Sequence, residues 1–251
     1  MNKKTALITG ATSGIGEATA RYFAQNNINL ILCGRRKERL NKLQIELSKA
    51  VKIHTLCFDV SDKVAVFDAI RSIPDEFKTI DILINNAGNA HGLDLVQEAA
   101  IEDWEKMLDI NVKGLMYVTK AIIPGMLENK NGHIINVGSV AGKEAYLRGN
   151  AYCASKAAVD SFTQGMRYDL LGKGIKVAAI HPGAVNTEFS TIRFKGDKQR
   201  ADKVYEGFEP LVAEDIADII YFMVSRPKHV NIADVLIFPV NQAAATIIAK
   251  N

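Results

Sequence analysis

The sequence has little cysteine, little net charge and no long apolar run. Its three cysteines, among 251 residues, are an odd number without metal-like spacing, so we expect neither a disulfide framework nor a metal site. No stretch reaches the roughly 18 apolar residues of a membrane span. The first apolar run, Ala6 to Ile8, is also too short for a signal peptide. We therefore expect no membrane partner and a reducing, cytoplasmic setting.

Charge and composition exclude further classes of protein. The formal charge of +3 is small, and no run of basic residues is interleaved with aromatic ones, so we expect no nucleic-acid partner. A small anionic ligand remains compatible with this charge. Hydrophobic residues make up 48% and charged residues 24% of the chain, which is typical of a globular protein with a substantial core.

Apolar segments typical of buried strands alternate with segments of helical periodicity along the whole chain. Ile80 to Ile84 is almost wholly apolar, as expected of a parallel strand buried on both faces. A long helix is predicted from Ile101 to Leu127, and Ser61 is expected to cap the helix that runs to Ile73. Because parallel strands need crossover connections, the pattern predicts one α/β domain over residues 1–251, a Rossmann-type doubly wound parallel sheet of about seven strands.

One segment, residues 184–212, breaks the alternation. It has few regular signals and carries Arg193-Phe194-Lys195-Gly196-Asp197. Irregular segments of this length in compact domains are usually functional lids or disordered. We therefore predict a substrate loop here.

A glycine-rich turn follows the first predicted strand. Its pattern, Thr9-Gly10-x-x-x-Gly14-x-Gly16, leads directly into a helix. Glycines let the backbone approach a pyrophosphate closely, and a helix amino terminus favours negative charge. The spacing differs from the usual Gly-x-Gly-x-x-Gly fingerprint, so a tight turn without a ligand is the alternative.

Two arginines follow the second predicted strand, where dinucleotide folds meet the adenosine ribose. An acidic residue at this point would bond a free 2′-hydroxyl, whereas arginine suits a 2′-phosphate. The chain offers Arg35 and Arg36 and no acid. We therefore predict NADP rather than NAD; the alternative is a solvated helix start.

Polar residues of chemical interest follow later strands. Tyr152 and Lys156, four residues apart, would share one helix face. A nearby cation favours the phenolate and suits the phenol to proton transfer, although two neighbours on a surface helix would show the same spacing. Asn111 lies against the apolar stripe of the long helix, where a buried amide needs a partner. It is either a structural anchor or part of a polar site.

Taken together these motifs resemble the short-chain dehydrogenase/reductase family over nearly the whole chain. The motifs are Thr9-Gly10-x-x-x-Gly14-x-Gly16, Asn85-Asn86-Ala87-Gly88, Asn111, Ser139, Tyr152-x-x-x-Lys156 and Pro182-Gly183. Other segments are similar to the NADP-dependent 3-hydroxy acid dehydrogenases that also oxidise serine and allo-threonine. These are Gly34-Arg35-Arg36, Thr187-Glu188-Phe189, residues 193–197 and His229-Val230-Asn231-Ile232.

The resemblance implies a catalytic set of Asn111, Ser139, Tyr152 and Lys156. Tyr152 would exchange a proton with the substrate oxygen, and Ser139 would donate a hydrogen bond to that oxygen. Lys156 would lower the pKa of the phenol and bond the nicotinamide ribose. Asn111 would hold a water that connects Lys156 to solvent.

The resemblance also implies a cofactor site and an assembly. Asp59 and Val60 would contact the adenine, and Val185 and Thr187, after Pro182-Gly183, the carboxamide end. The cofactor-binding residues are Gly10, Thr12, Ser13, Gly14, Ile15, Gly16, Arg35, Arg36, Asp59, Val60, Asn86, Ala87, Gly88, Tyr152, Lys156, Pro182, Gly183, Val185 and Thr187. The family implies a homo-oligomer, with a tetramer favoured.

For the substrate, we expect Ser139, Tyr152 and Arg193 to line the site, with Arg193 or Lys195 gripping a carboxylate. Surface charges on a mobile lid are the alternative. The sequence thus favours an NADP-dependent oxidoreductase acting on a small 3-hydroxy acid or its semialdehyde or keto form. A carbonyl reductase for another substrate, such as a 3-oxoacyl thioester, and a non-catalytic nucleotide sensor are the competing functions.

Overall fold

The computed structural model describes residues 3–250 and contains a seven-stranded sheet. All its neighbouring strands are parallel, in the order β3-β2-β1-β4-β5-β6-β7. The strands are β1 Thr5–Thr9, β2 Asn29–Gly34, β3 Ile53–Cys57, β4 Ile82–Asn85, β5 Gly132–Val137, β6 Ile175–Pro182 and β7 Asp234–Ile237. The predicted doubly wound parallel sheet is confirmed.

Helices cover both faces of this sheet. They are α1 Gly14–Gln25, α2 Lys37–Leu47, α3 Lys63–Arg71, α4 Ile101–Leu108, α5 Leu115–Glu128, α6 Asn150–Asp169, α7 Phe189–Arg193, α8 Lys198–Lys203 and α9 Ala213–Ser225. Successive strand residues point to opposite faces: Ile8 belongs to the apolar core on one face, and Leu7 to the core on the other. Burial on both faces explains why the strands are almost uniformly apolar.

The order of the strands places the site. β1 lies between β2 and β4, so the chain winds in one direction from β1 to β3 and in the other from β4 to β7. Open α/β sheets bind ligands at the carboxyl ends of the strands, beside this switch in direction. Every polar motif of the sequence that follows a strand therefore ends at the same edge of the sheet.

The predicted helix over 101–127 is confirmed, with one irregularity. A π-helical turn, Asp109–Gly114, joins α4 to α5 and contains Asn111. The prediction that Ser61 caps α3 is wrong: the Asp62 side chain accepts the Ala65 N–H instead. The hydroxyl of Ser61 is bonded to Asp59, 2.7 Å away.

The segment over 184–212 is more regular than its sequence predicts. It contains α7 and α8, and the carboxylate of Asp197 caps α8 by accepting the Arg200 N–H. These helices have only five and six residues, too few for an apolar periodicity to be visible.

The segment after β7 folds back over the carboxyl edge of the sheet. Gln242 Oε1 accepts the Ala184 N–H at 2.8 Å, and the Ala245 N–H bonds Glu144. Among residues 3–250, no helix combines the length and apolarity needed to cross a bilayer.

Candidate active site

A cavity of about 560 Å³ opens at the carboxyl edge of the sheet. Arg35 and Arg36 line one end of it, Tyr152 and Arg193 the other, and the glycine turn lies between. The cavity therefore joins the site predicted for a dinucleotide to the predicted catalytic residues.

Hydrogen bonds connect the glycine turn to the loop after β4. The Thr9 hydroxyl accepts the backbone N–H groups of Asn86 and Ala87, each at 3.0 Å. In return the Asn86 amide donates to Thr9 O at 2.9 Å. Gly10 and Gly14 have φ angles of +66° and +52°, a conformation that suits glycine. These contacts hold the turn so that its backbone faces the cavity.

The turn fits a pyrophosphate. Gly10, Gly14 and Ile15 line the cavity directly in front of the first turn of α1. A side chain at Gly14 would meet the Cγ2 atom of Thr187 at 3.2 Å. The cavity thus approaches bare backbone N–H groups at a helix amino terminus, which is the chemistry that phosphate oxygens prefer.

Guanidinium groups surround the end of the cavity lined by Arg35 and Arg36, where the adenosine of a dinucleotide is expected; we call it the adenosine end. Arg36 donates to the Ser13 and Thr12 hydroxyls, at 2.6 and 3.1 Å, and to Glu188 at 2.8 Å. Arg39, one turn further along α2, donates to the other oxygen of Glu188 at 2.7 Å. This concentration of positive charge suits a 2′-phosphate better than a bare hydroxyl.

Arg35 lies on the far side of the same end. Its guanidinium donates to Asp59 Oδ2 at 3.0 Å. Burial raises the pKa of Asp59, but hydrogen bonds from Ser61 and Arg35 outweigh it, so the net pKa is lowered and the group stays ionised.

The predicted catalytic side chains converge at the opposite end of the cavity. Ser139 follows β5, while Tyr152 and Lys156 lie in the first two turns of α6, and all three line the cavity. Tyr152 and Lys156 are 8% and 6% exposed. Lys156 Nζ donates to Val137 O at 2.9 Å, which fixes the ammonium group at the end of β5.

The pKa of the Tyr152 phenol departs from the predicted behaviour. Burial raises this pKa and nearby Tyr146 raises it further, whereas the Ser139 hydroxyl and the Arg193 guanidinium lower it. The net direction is thus opposite to the lowering expected from Lys156, which is not among these groups and whose Nζ donates to Val137 O. Burial also lowers the pKa of Lys156 itself to about 8. Tyr152 is therefore a protonated phenol at neutral pH, ready to act as an acid.

Asn111 anchors a loop. Its side chain accepts the Asn89 N–H and donates to Asn89 O, both at 2.8 Å, and it donates to the Ser155 hydroxyl at 3.0 Å. The buried amide is thus fully paired, as a buried polar group requires. A Cβ on Gly88 would lie 3.2 Å from Asn111 Oδ1 and 3.5 Å from Lys156 Nζ, so Gly88 separates the two side chains.

Arg193, at the end of α7, lies over the ring of Tyr152. Its guanidinium carbon is 5.3 Å from the centre of the Tyr152 ring and 5.6 Å from that of Tyr146. It donates to the Tyr146 hydroxyl at 2.6 Å and to Gly92 O at 3.2 Å. The other N–H groups of Arg193 lie beside the Tyr152 ring and are available to donate hydrogen bonds. A carboxylate at this position would be a suitable acceptor.

Lys195, the alternative carboxylate anchor, is placed elsewhere. Its ammonium pairs with Asp103 at 2.8 Å, and the side chain is 62% exposed. It does not line the cavity. Of these two basic residues, Arg193 is the one that lines the cavity and lies beside the Tyr152 ring.

A family model described as short chain dehydrogenase matches residues 4–198. The chain belongs to the short chain dehydrogenase family. The resemblance inferred from the sequence motifs is confirmed.

Individual proteins are also similar to the chain. This dehydrogenase is 46% identical, over 95% of its length and 96% of the relative's, to the NADP-dependent 3-hydroxy acid dehydrogenase of Salmonella typhi. It is 44% identical to the serine 3-dehydrogenase of Agrobacterium fabrum, over 96% of both chains. Among solved structures, the closed form of serine dehydrogenase complexed with NADP+ matches with a TM-score of 0.93 and 44% identity, over 98% of this chain and 99% of that one.

Most of the predicted site residues line the cavity of this dehydrogenase. They are Gly10, Thr12, Ser13, Gly14, Ile15, Arg35, Arg36, Asp59, Val60, Asn86, Ala87, Gly88, Ser139, Tyr152, Lys156, Pro182, Gly183, Val185, Thr187 and Arg193. Gly16 and Asn111 do not line it. Both lie behind the cavity wall: Gly16 packs against Asn86 and Gly10, and Asn111 bonds Asn89.

The sequence interpretation missed Arg39, Tyr146, Gln242 and the ionic role of Glu188. Arg39 contacts the site through Glu188, which is 149 residues away, and through Thr12 O at 3.3 Å. Tyr146 belongs to none of the motifs, yet it lines the cavity and bonds Arg193. The one sequence signal for Arg39 was its place one helical turn beyond Arg35.

Proposed function

We propose that this dehydrogenase uses NADP to interconvert the alcohol of small 3-hydroxy acids, serine and allo-threonine among them, and the corresponding semialdehyde or keto acid. The observation that carries the proposal is Arg193, held beside the Tyr152 ring at the end of the cavity opposite Arg36. The chain's similarity to a 3-hydroxy acid dehydrogenase and to a serine 3-dehydrogenase supports the proposal.

The cavity divides into a cofactor part and a substrate part. Gly10, Gly14 and Ile15 would hold the pyrophosphate, and Arg35 and Arg36 the 2′-phosphate. Lys156, fixed by Val137 O, would bond the nicotinamide ribose with its remaining N–H groups. When bound, NADP accepts or supplies the hydride.

The protein's own residues handle the proton and the charge. In reduction the protonated phenol of Tyr152 gives its proton to the oxygen that becomes the alcohol. In oxidation the phenolate takes this proton back as the C–H hydride leaves. Ser139, adjacent to the phenol, would donate a hydrogen bond to the same oxygen and stabilise the charge that develops on it.

Arg193 would set the distance between carboxylate and reacting carbon. Its fork geometry grips a carboxylate bidentately, and Gly92 O and Tyr146 fix its orientation. Arg193 would bind the substrate carboxylate, and Tyr152 with Ser139 would bind the reacting oxygen. The carbon that exchanges the hydride would then lie at a fixed distance from the carboxylate. This arrangement favours 3-hydroxy acids over neutral alcohols.

A steady-state screen tests the proposal. Wild-type enzyme is assayed with NADP+ and NAD+ against L-serine, L-allo-threonine, 3-hydroxypropionate and an uncharged alcohol, and with NADPH against malonic semialdehyde and an acetoacetyl thioester. We expect turnover of the acids and the semialdehyde with the phosphorylated cofactor. Turnover of the thioester but not the semialdehyde would support a 3-oxoacyl reductase instead, and equal efficiency with NAD+ would refute the role of Arg35 and Arg36.

Two variants test the named residues. Arg193→Lys keeps the charge but loses the fork and the bond to Tyr146, so we expect the KM for hydroxy acids to rise with a smaller effect on neutral alcohols. An unchanged KM would remove Arg193 as the anchor. Tyr152→Phe should abolish turnover while leaving NADP+ binding measurable by calorimetry; full biological activity of this variant would instead indicate a nucleotide sensor.

We further propose a cytoplasmic homotetramer. Free thiols at Cys33, Cys57 and Cys153 support a reducing compartment. Exposed apolar side chains, including Phe222 and Leu236 on α9 and β7, support association. Light scattering should give four times the chain mass of 27.5 kDa; a monomeric or dimeric mass would contradict the tetramer.

A further inference from the structure

One carboxylate lies among the arginines of the adenosine end. The Oε2 atom of Glu188 is 2.8 Å from Arg36 Nη1, and its Oε1 atom is 2.7 Å from Arg39 Nη1. Glu188 lines the same cavity as Arg36. It comes from the substrate loop, 152 residues further along the chain than Arg36, so this ion pair joins two distant parts of the site.

We propose that Glu188 is a determinant of cofactor specificity: it competes with the cofactor's 2′-phosphate for the guanidinium groups of Arg36 and Arg39, and so weakens the preference for NADP over NAD. The proposal rests on the proposed use of NADP.

The chemistry of the donors supports competition. Carboxylates and phosphates accept the same forked N–H pairs from arginine. Three nitrogens of Arg36 are already used by Thr12, Ser13 and Glu188. Two of its five N–H groups remain, so a phosphate that binds this guanidinium either shares it with Glu188 or displaces Glu188, and in both cases the two anions compete for the same charge.

The balance of charges around the arginines also supports competition between Glu188 and a 2′-phosphate. Arg35, Arg36 and Arg39 supply three positive charges, and Asp59 and Glu188 cancel two of them. Burial opposes ionisation of Glu188, but the hydrogen bonds from Arg36 and Arg39 prevail and lower its pKa, so the carboxylate is charged at neutral pH. Removing this charge strengthens the field on a dianionic phosphate and leaves a neutral ribose hydroxyl almost unaffected.

The size of the effect follows from exposure. The side chains of Glu188, Arg36 and Arg39 are 43%, 39% and 48% exposed, so water screens each pair and each is worth little. We expect a change of about three- to tenfold in affinity for the 2′-phosphate.

Calorimetry with two cofactor fragments isolates the 2′-phosphate. Adenosine 2′,5′-bisphosphate and adenosine 5′-monophosphate are titrated into wild type, Glu188→Gln and Glu206→Gln at 50 mM salt. Glu206 is an exposed acid of the same loop and does not line the cavity, so its variant removes the same charge from outside the site. Glu188→Gln should bind the bisphosphate three- to tenfold more tightly than wild type, with the monophosphate affinity unchanged, and Glu206→Gln should match wild type. The gain should shrink at 500 mM salt.

The outcomes separate the two proposals. The ratio of the two affinities in wild type tests the preference for NADP. The change in this ratio in Glu188→Gln tests Glu188, whatever the wild-type ratio is. An unchanged ratio would overturn the inference, as would weaker bisphosphate binding, which would mean that Glu188 positions the arginines rather than competing for them. An equal gain in Glu206→Gln would also overturn it, because the effect would then belong to net charge alone.

Discussion

Substituting Gly16 tests how the cofactor turn is built. Gly16 is buried in the first turn of α1 but does not line the cavity. A Cβ there would overlap the Asn86 amide and the backbone of Gly10, with the Gly10 carbonyl carbon at 2.9 Å. Backbone cannot rotate away, so Asn86 must give up its bond to Thr9 O or the turn must shift.

These contacts determine how much Gly16→Ala lowers the free energy of unfolding. Overpacking costs about 1–3 kcal/mol, and each lost hydrogen bond of Asn86 costs about 1 kcal/mol. The better helix propensity of alanine offsets up to about 1 kcal/mol. We therefore expect the free energy of unfolding to fall by roughly 2 kcal/mol.

Gly165→Ala is the matched control. Gly165 lies inside α6, and a Cβ there meets nothing within 4 Å, so the same substitution should stabilise by about 0.5–1 kcal/mol. Urea denaturation followed by circular dichroism, at one protein concentration, measures both variants. A Gly16→Ala variant as stable as wild type, or an equal destabilisation by Gly165→Ala, would refute the proposed crowding at Gly16.

Other predictions concern the catalytic end. Because burial raises the pKa of the Tyr152 phenol, oxidation of the hydroxy acid, which needs the phenolate, should speed up from pH 7 to 10 while reduction does not; a flat oxidation profile would contradict this. Burial lowers the pKa of Lys156 from 10.5 to about 8. Between pH 8 and 10.5, Lys156 is therefore protonated in the unfolded chain but largely neutral in the folded one. The unfolding free energy of wild type, relative to Lys156→Met, should then rise by up to about 3 kcal/mol as the pH increases from 8 to 10.5, and equal pH dependence of the two would disprove it. Gly88→Ala, which crowds Asn111 and Lys156, should lower kcat more than it changes the KM for the hydroxy acid, as steady-state assays would show. Lys195→Ala, which takes an exposed ammonium away from the buried Asp103 carboxylate, should leave this KM unchanged and cost about 1–3 kcal/mol in urea.

The cofactor end could be predicted from the sequence because each group there follows a strand. Gly10, Arg35 and Asn86 stand directly after β1, β2 and β4, and the carboxyl ends of parallel strands meet at one edge. The two neighbouring amides could not be told apart, however. Asn85 points into the core and bonds Thr119 and Asn136, both at 2.9 Å, whereas Asn86 faces the glycine turn.

The substrate end could be predicted only in outline. Its contacts depend on how the loop over 184–212 folds back, and no periodicity in the sequence specifies this. The bond from Arg193 to Tyr146 and that from Arg39 to Glu188 span 47 and 149 residues. The raised pKa of Tyr152 could not be predicted, because it comes chiefly from burial, which no motif reveals.

The π-helical turn at Asp109–Gly114 constrains how this gene segment can change in length. Bonds from residue i to i+5 enclose one more residue than those of an α-helix. Deleting a single residue from the turn would therefore leave a regular α-helix, with the apolar stripe of α5 still facing the core. A deletion inside α5 would instead rotate the rest of that helix by about 100° and turn its apolar stripe away from the core. We therefore expect single-residue deletions within 109–114 to be better tolerated than deletions within Leu115–Glu128, which a library of one-codon deletions scored for soluble enzyme would reveal.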